Sequence, residues 1–293
     1  MKDFVNEISS WAKGISSNFI IIPQNGHDLL AKNYDPNDGP ALSYISAIDG
    51  IGREDLLYGY TNNNIPTPVK STKEMTSYLD LLINQGKIVL ATDYCWTHSY
   101  MDDSYAQNLE KGYISFAADS RELDTIPTYP ATPYNVNTNN IVSLSDAANF
   151  LYLLNTENYA SKTAFLNALG ATDYDLFIID AFYGGTNAFT LAEVNSLKTK
   201  ASSGSRLVIV YMSIGEAEDY RYYWNPSWNT SPPDWLAEEN PEWQGNYKVC
   251  FWMDEWKSII FGKADSYLQR IIDAGFDGVY LDIIDAFEYW EEQ

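Results

Sequence analysis

Short apolar runs that end on or just before Asp, Glu or Asn recur along the 293 residues, and stretches with helical patterning separate most of them. Eight runs read as strands: Asn18–Gln24, Ser43–Ile48, Lys87–Thr92, Phe150–Leu154, Asp175–Ile179, Arg206–Met212, Tyr247–Trp252 and Asp277–Leu281. Runs this short and this rich in Val, Ile and Phe suit strands buried on both faces. Helical patterns fall at Lys2–Lys13, Thr72–Asn84, Ser104–Lys111, Ser161–Leu169, Leu191–Ala201 and Trp256–Ala274. Thr190 and Glu193 form a capping box ahead of Leu191. Strands alternating with helices imply parallel pairing through right-handed crossovers, and eight such units close a (β/α)8 barrel. The expectation is an α/β chain, residues 1–293 forming a single (β/α)8 TIM barrel domain. An open doubly wound sheet is the alternative, but no Gly-rich phosphate loop follows any strand. Residues Arg121–Leu144, rich in Pro, Asn and Thr, read as a long surface connection.

Acids outnumber bases 40 to 18, for a net charge of −22, which disfavours nucleic acid and anionic membranes as partners. A neutral or cationic substrate fits better. Two histidines, His27 and His98, argue against a His-rich metal site and a Ser-His-Asp triad. Cys95 and Cys250 follow different strands and read as free thiols. The 23 Tyr and 9 Trp exceed what a core needs and suit stacking on sugar rings. No apolar run reaches membrane-spanning length.

Acidic groups at the C-terminal ends of parallel strands are what a catalytic barrel face looks like in sequence. Three stretches carry a resemblance: Tyr174 to Asp180 (YDLFIID), Val210 to Arg221 (VYMSIGEAEDYR) and Gly275 to Asp285 (GFDGVYLDIID). Together they resemble glycoside hydrolase family 114, the endo-α-1,4-polygalactosaminidase barrels. Weaker matches in the first half are Pro23-Gln24-Asn25, Ile48 to Glu54, and Gly86 to Leu90 running on to Asp93-Tyr94. In the family these first-half pieces follow the Asp282 strand, whereas here they precede the rest. The resemblance therefore implies a circular permutation, with strands ordered Phe150, Asp175, Arg206, Tyr247, Asp277, Asn18, Ser43, Lys87 around the barrel.

Glycoside hydrolysis needs one protonated and one ionised carboxyl. The resemblance implies Asp282 as nucleophile and Glu54 as acid/base in a retaining mechanism on α-1,4-linked galactosamine or N-acetylgalactosamine polysaccharide. Asp180 and Glu216 end strands at the same mouth and are candidates for binding sugar hydroxyls or an amino group. Glu216 is also the rival acid/base, and Asp180 is alternatively an ion-pair partner of Arg221. Asn25, Asp93, Tyr94 and Asp285 complete the candidate ligand contacts. The aromatic cluster from Tyr220 to Trp235 reads either as a sugar-stacking lid or as a loop packed on itself. No cofactor and no metal are expected, and the partner is a polysaccharide or oligosaccharide met by a monomer. A secreted, periplasmic or cell-surface location is expected, with any leader already removed. A non-catalytic glycan-binding barrel and a barrel enzyme holding Mg²⁺ through Asp180, Glu216 and Asp282 are the rival readings.

Overall fold

The computed structural model describes residues 1–291. The first part of the chain supplies β1 (Ile20–Pro23), β2 (Gly50–Glu54), β3 (Ile88–Tyr94) and β4 (Ile114–Ala118). The second part supplies β5 (Leu151–Leu153), β6 (Leu176–Ile179), β9 (Leu207–Ser213) and β13 (Gly278–Asp282). Between these lie a hairpin of β7 (Phe182–Tyr183) and β8 (Asn187–Ala188), and an antiparallel sheet of β10 (Glu216–Glu218), β11 (Leu236–Glu239) and β12 (Asn246–Val249).

The chain is mixed α/β with parallel sheets. One has the order β1-β13-β9-β6-β5, the other β2-β3-β4. The two are joined where Gln24 bridges Gly52 and where the Asn25 amide donates to the Gly52 carbonyl at 2.8 Å. The far edges, β4 and β5, approach one another, with Phe116 and Phe150 stacked obliquely at 5.7 Å. No ladder joins those two edges among the described residues.

Seven of the eight expected segments carry strands at or beside the expected place, but two assignments change. Ser43–Ile48 is not a strand: Leu42–Ala47 is helix α2, and the strand is the next segment, Gly-Ile-Gly-Arg-Glu. Two glycines lower its strand propensity, yet the fold requires them. A Cβ on Gly52 would lie 1.8 Å from the Tyr280 hydroxyl, and one on Gly50 would lie 2.7 Å from the Ile88 carbonyl. Tyr247–Trp252 does not take a place among the parallel strands; its β12 portion pairs antiparallel with β10 and β11. The eighth parallel strand is instead β4, Ile-Ser-Phe-Ala-Ala, whose small residues give little apolar signal although all five are buried. The remaining strands keep the expected relative order, but β9 pairs directly with β13, and β4 is added beyond β3 and does not fill the place of Tyr247–Trp252.

Helices pack outside the sheets. Helix α1 (Lys2–Ile15) buries Phe4, Val5, Ile8 and Ala12 along one stripe, the spacing of an amphipathic helix. Each large apolar side chain so buried contributes about 1.5–3 kcal/mol. The expected helix Trp256–Ala274 is two, α7 (Asp254–Ile260) and α8 (Tyr267–Asp273), separated at Gly262 with φ +90°. Cys95 is buried, Cys250 half-buried, and both are free thiols.

The connection after β4 is pinned below the sheet. Asp175, just ahead of β6, accepts from Asn137 Nδ2 at 2.8 Å and the Ala148 amide at 2.8 Å, and pairs with Lys200 Nζ at 2.5 Å. The Lys200 and Asp175 side chains are both 0% exposed, so each charge depends on the other. This cluster holds the N-terminal ends of the strands, away from the carboxylates at the opposite ends.

Candidate active site

Alternation along a strand settles which carboxylates share a compartment. Side chains two residues apart lie on one face. Gly52 faces the Tyr280 hydroxyl, so the face of β2 that carries Gly52 and Glu54 looks onto the face of β13 that carries Tyr280 and Asp282. Glu54 and Asp282 therefore rise from the same interior, one layer above the Gly52–Tyr280 contact, with β1 between their strands. Below them Tyr152 packs edge-on against Tyr280 at 5.2 Å and donates its hydroxyl to Gln24 Oε1 at 2.9 Å.

Asp282 is half-buried. Its Oδ2 accepts the Tyr211 hydroxyl from β9 at 2.7 Å. Burial and then the nearby charge of Glu54 push its pKa up to about 8, against the pull of the Tyr211 hydroxyl and the Ile283 amide. Ile283 has φ +58°, an uncommon conformation for a β-branched residue. Backbone strain of this kind tends to collect at functional sites. It turns the chain sharply after Asp282, and Ala286 begins the short helix α9 (Ala286–Glu291).

Glu54 is held from two sides. Tyr94, at the end of β3, donates its hydroxyl to Oε1, and Asn25 Nδ2 donates to Oε2 at 3.1 Å. Burial keeps the Tyr94 phenol far above its ordinary pKa, so it remains a donor. The Arg121 guanidinium lies 3.9 Å over the Tyr94 ring and pairs with Asp55 at 2.5 Å. Asn25 has φ +61°, a region that Asn tolerates better than most residues. Its Oδ1 accepts from Arg53 Nη1 at 3.1 Å and from the Glu54 amide at 3.3 Å. One side chain from β1's end thus fixes both Arg53 and Glu54.

A cleft of about 270 Å³ opens beside this pair, lined among others by Asn25, His27, Asp28, Arg53, Tyr78 and Asp285. Burial and then the neighbouring Arg53 push the His27 pKa down to about 3, so the imidazole is neutral. Its Nδ1 lies 3.3 Å from Arg53 Nη1, as an acceptor. Asp285 is exposed toward the cleft; its surroundings raise its pKa by desolvation, which Arg53 partly offsets.

The other expected residues lie in different settings. Asp180 receives a bidentate pair from Arg221, at 2.8 and 2.7 Å, the ion-pair alternative anticipated for it. Glu218, which sequence reasoning did not single out, completes the triad: Arg221 Nε reaches its Oε2 at 2.6 Å, and Tyr220 donates to its Oε1 at 2.6 Å. Arg221 is 4% exposed, with one cation facing two carboxylates. Glu216 is buried in the antiparallel sheet; its Oε1 accepts from Asn240 at 2.8 Å and its Oε2 has no partner. Burial raises its pKa, which hydrogen bonds from Asn240 and Asn246 partly offset. Asp93 is fully buried and accepts four hydrogen bonds, from the amides of Leu57 and Tyr58 and from Ser104 and Asn108. It anchors the loop after β2 to helix α4 (His98–Glu110) and leaves no acceptor facing the mouth.

The aromatic loop after β10 packs on itself. Trp224 meets Trp228 at 5.2 Å, Trp228 meets Trp235 at 5.0 Å, and Trp235 meets Trp256 at 5.1 Å. Among the described residues no group of three His, Cys, Asp or Glu is placed to hold a metal ion.

The model of glycoside-hydrolase family GH114 matches residues 130–293, more than half of the chain. The chain belongs to this family. Asp180, Glu216, Asp282 and Asp285 fall inside the matched segment, while Asn25, Glu54, Asp93 and Tyr94 precede it. An uncharacterized protein of Methanocaldococcus jannaschii is 41% identical over 181 residues, 61% of this chain and 49% of that protein. One of Thermotoga maritima is 42% identical over 125 residues, 43% of this chain and 37% of its own length. One of Deinococcus radiodurans is 38% identical over 123 residues, 42% of this chain and 37% of its own. The chain spans about half or less of each of these relatives. The family is one of glycoside hydrolases.

Proposed function

We propose that this protein is a glycoside hydrolase and cleaves α-1,4-linked galactosamine or N-acetylgalactosamine polysaccharide at Asp282 and Glu54, by a retaining mechanism without a cofactor. The observation that carries the reading is the pair itself: two carboxyls raised from one interior, close enough for the charge of Glu54 to lift the pKa of Asp282. Interacting carboxyls titrate as a unit, and one shared proton is what glycoside cleavage requires. That proton rests on Asp282, whose pKa of about 8 exceeds neutral pH. The nucleophile must be ionised. A sugar carrying an ammonium group, or positive charge developing at C1, favours the ionised Asp282 and moves the proton to Glu54.

In the first step Glu54 gives its proton to the glycosidic oxygen as Asp282 bonds to C1 and the C1–O bond breaks. In the second, Glu54 takes a proton from water, whose oxygen bonds to C1 and releases the Asp282 carboxylate. Asn25, Tyr94 and Asp285 surround this pair as sugar contacts. Asp180, held by Arg221, and Glu216, in the small antiparallel sheet, are read as further sugar contacts at the mouth.

The parallel strands are read as a closed (β/α)8 barrel forming a single domain, circularly permuted. The pairing of β1 with β13, Ile20 opposite Gly278, sets the first strand beside the last, as closure of the barrel requires. A monomer acting at the cell surface, in the periplasm or outside the cell suits a polymeric substrate. A net charge of −22 draws a partly deacetylated, cationic chain toward the mouth, so kcat/KM on such a chain should fall with ionic strength.

The test is oligosaccharide release from poly-α-1,4-galactosamine and its N-acetylated form by the wild type and by Asp282→Asn. Release by the wild type alone supports the reading. Binding without release by either protein would favour a glycan-binding barrel, a reading that a protonated Asp282 also suits. Azide separates the roles: Asp282→Ala should be rescued to a glycosyl azide of inverted anomeric configuration, and Glu54→Ala to one of retained configuration.

A further inference from the structure

Two large aromatic rings at the mouth are left half in water on loops that are otherwise tightly fixed. Tyr60 and Trp96 are each 51% exposed. Tyr60 lies in the loop after β2 and Trp96 in the loop after β3, so both stand at the strand ends that carry Glu54 and Tyr94.

The two loops are stitched together by Asn64. Its Oδ1 accepts from the Trp96 and Thr97 amides at 3.0 Å each, its Nδ2 donates to Thr97 Oγ1 at 3.0 Å, and its amide donates to the Tyr94 carbonyl at 2.8 Å. Arg121 braces the same loop through Asn63 at 2.6 Å, Gly59 at 3.2 Å and Asp55 at 2.5 Å. Asp93 holds it from beneath through the Leu57 and Tyr58 amides. In the loop after β10 the rings from Trp224 to Trp235 are consumed by packing on one another and on Trp256, while Tyr220 and Tyr222 stay partly exposed. Exposed rings on a braced loop keep their apolar faces available at no further ordering cost, which is what a stacking site for a flat-faced ligand needs.

We propose that Tyr60 and Trp96 form a sugar-stacking shelf that receives rings of the polysaccharide next to those held at Asp282 and Glu54. The proposal rests on the carbohydrate-cleaving reading of the site and adds to it where the bound chain runs: over the loops after β2 and β3, not over the aromatic loop after β10. Such a shelf grips long chains and leaves short ones indifferent, the behaviour of an enzyme that cuts inside a polymer.

Affinity electrophoresis in gels containing poly-α-1,4-galactosamine, with every variant in an Asp282→Asn background so that the polymer is not cut, reads the shelf without turnover. Tyr60→Ala and Trp96→Ala should each weaken retardation roughly 3- to 10-fold. Leu109→Ala, an exposed apolar position near the end of α4, just ahead of β4 and so at the opposite end of the strands from the mouth, should not. Equal retardation of all variants, or none for any, overturns the shelf. Aromatic-dependent retardation from a protein whose wild type releases no product keeps the shelf and overturns the catalytic reading instead. Circular dichroism of each variant confirms the fold, and Trp96→Phe should restore most of the retardation if stacking is the cause.

Discussion

Tyr211 donates its hydroxyl hydrogen to Asp282 across the β9–β13 ladder at 2.7 Å. The register pairs Tyr211 with Tyr280, so the phenol reaches two residues further along the same face of β13. A donor favours the ionised carboxylate. Removing it by Tyr211→Phe should raise the Asp282 pKa further above about 8 and lower kcat/KM roughly 10- to 100-fold, the range for a hydrogen bond to a charged group. A pH–rate profile checks both: the limb assigned to Asp282 should move to higher pH. An unmoved limb would assign that titration to another group.

The same raised pKa makes a stability prediction. The ordinary value for Asp282 is 3.8 and the folded value about 8. Between these pH values the folded protein keeps a proton that the unfolded chain releases. Stability therefore falls as pH rises through this window and levels off above it. Asp282→Asn, which carries no charge to desolvate, should have a Tm above the wild type at pH 8, by roughly 2–4 °C for each kcal/mol relieved, and near it at pH 4. Activity should fall by about 1,000-fold or more at every pH, as for removal of a catalytic group. Differential scanning calorimetry at the two pH values decides it; a variant less stable than wild type at pH 8 would contradict the assignment.

The alternation of parallel strands with helices was legible because it leaves local marks: apolar runs, a carboxyl at or near each run's end, helical spacing between. The Thr190–Glu193 capping box was legible for the same reason and is present. What escaped has a non-local cause. Gly50 and Gly52 make a poor strand by propensity, and their necessity appears only when Tyr280 and Ile88 stand opposite them. The positive φ of Ile283 leaves no trace in Ile-Ile-Asp. Glu218 lies two residues from Glu216, and no local pattern distinguishes which of them meets Arg221. Only the turn after β10 does so.

Arg221 illustrates the cost of that hidden contact. It is the shared partner of Asp180 and Glu218, and its side chain also faces the rings of Phe182 and Tyr267. Arg221→Met leaves two carboxylates facing each other in a buried setting, and should cost about 3–5 kcal/mol. Adding Asp180→Asn and Glu218→Gln to Arg221→Met should recover much of the loss, because the penalty lies in unpaired charge and not in missing volume. Urea unfolding of the single and triple variants measures it. A triple variant as unstable as the single one would place the cost in packing.

Asp93 provides the sharpest separation between a ligand contact and a loop anchor. Its Oδ1 takes the Leu57 and Tyr58 amides at 2.7 and 3.1 Å, and its Oδ2 takes Ser104 Oγ at 2.6 Å and Asn108 Nδ2 at 3.2 Å. Four donors fill a carboxylate that has no exposure. Asp93→Asn brings two hydrogens against donors already in place, so at least one buried group loses its partner, at about 1–3 kcal/mol each. The loop it releases also carries Tyr58, whose hydroxyl bonds Asp103 at 2.6 Å on α4. Asp93→Asn should lower Tm by several degrees, and added substrate should not restore it. A direct sugar contact would do the reverse, leaving Tm near wild type and raising KM. Thermal unfolding and steady-state kinetics on the one variant distinguish the two, and the sealed geometry of Asp93 favours the anchor.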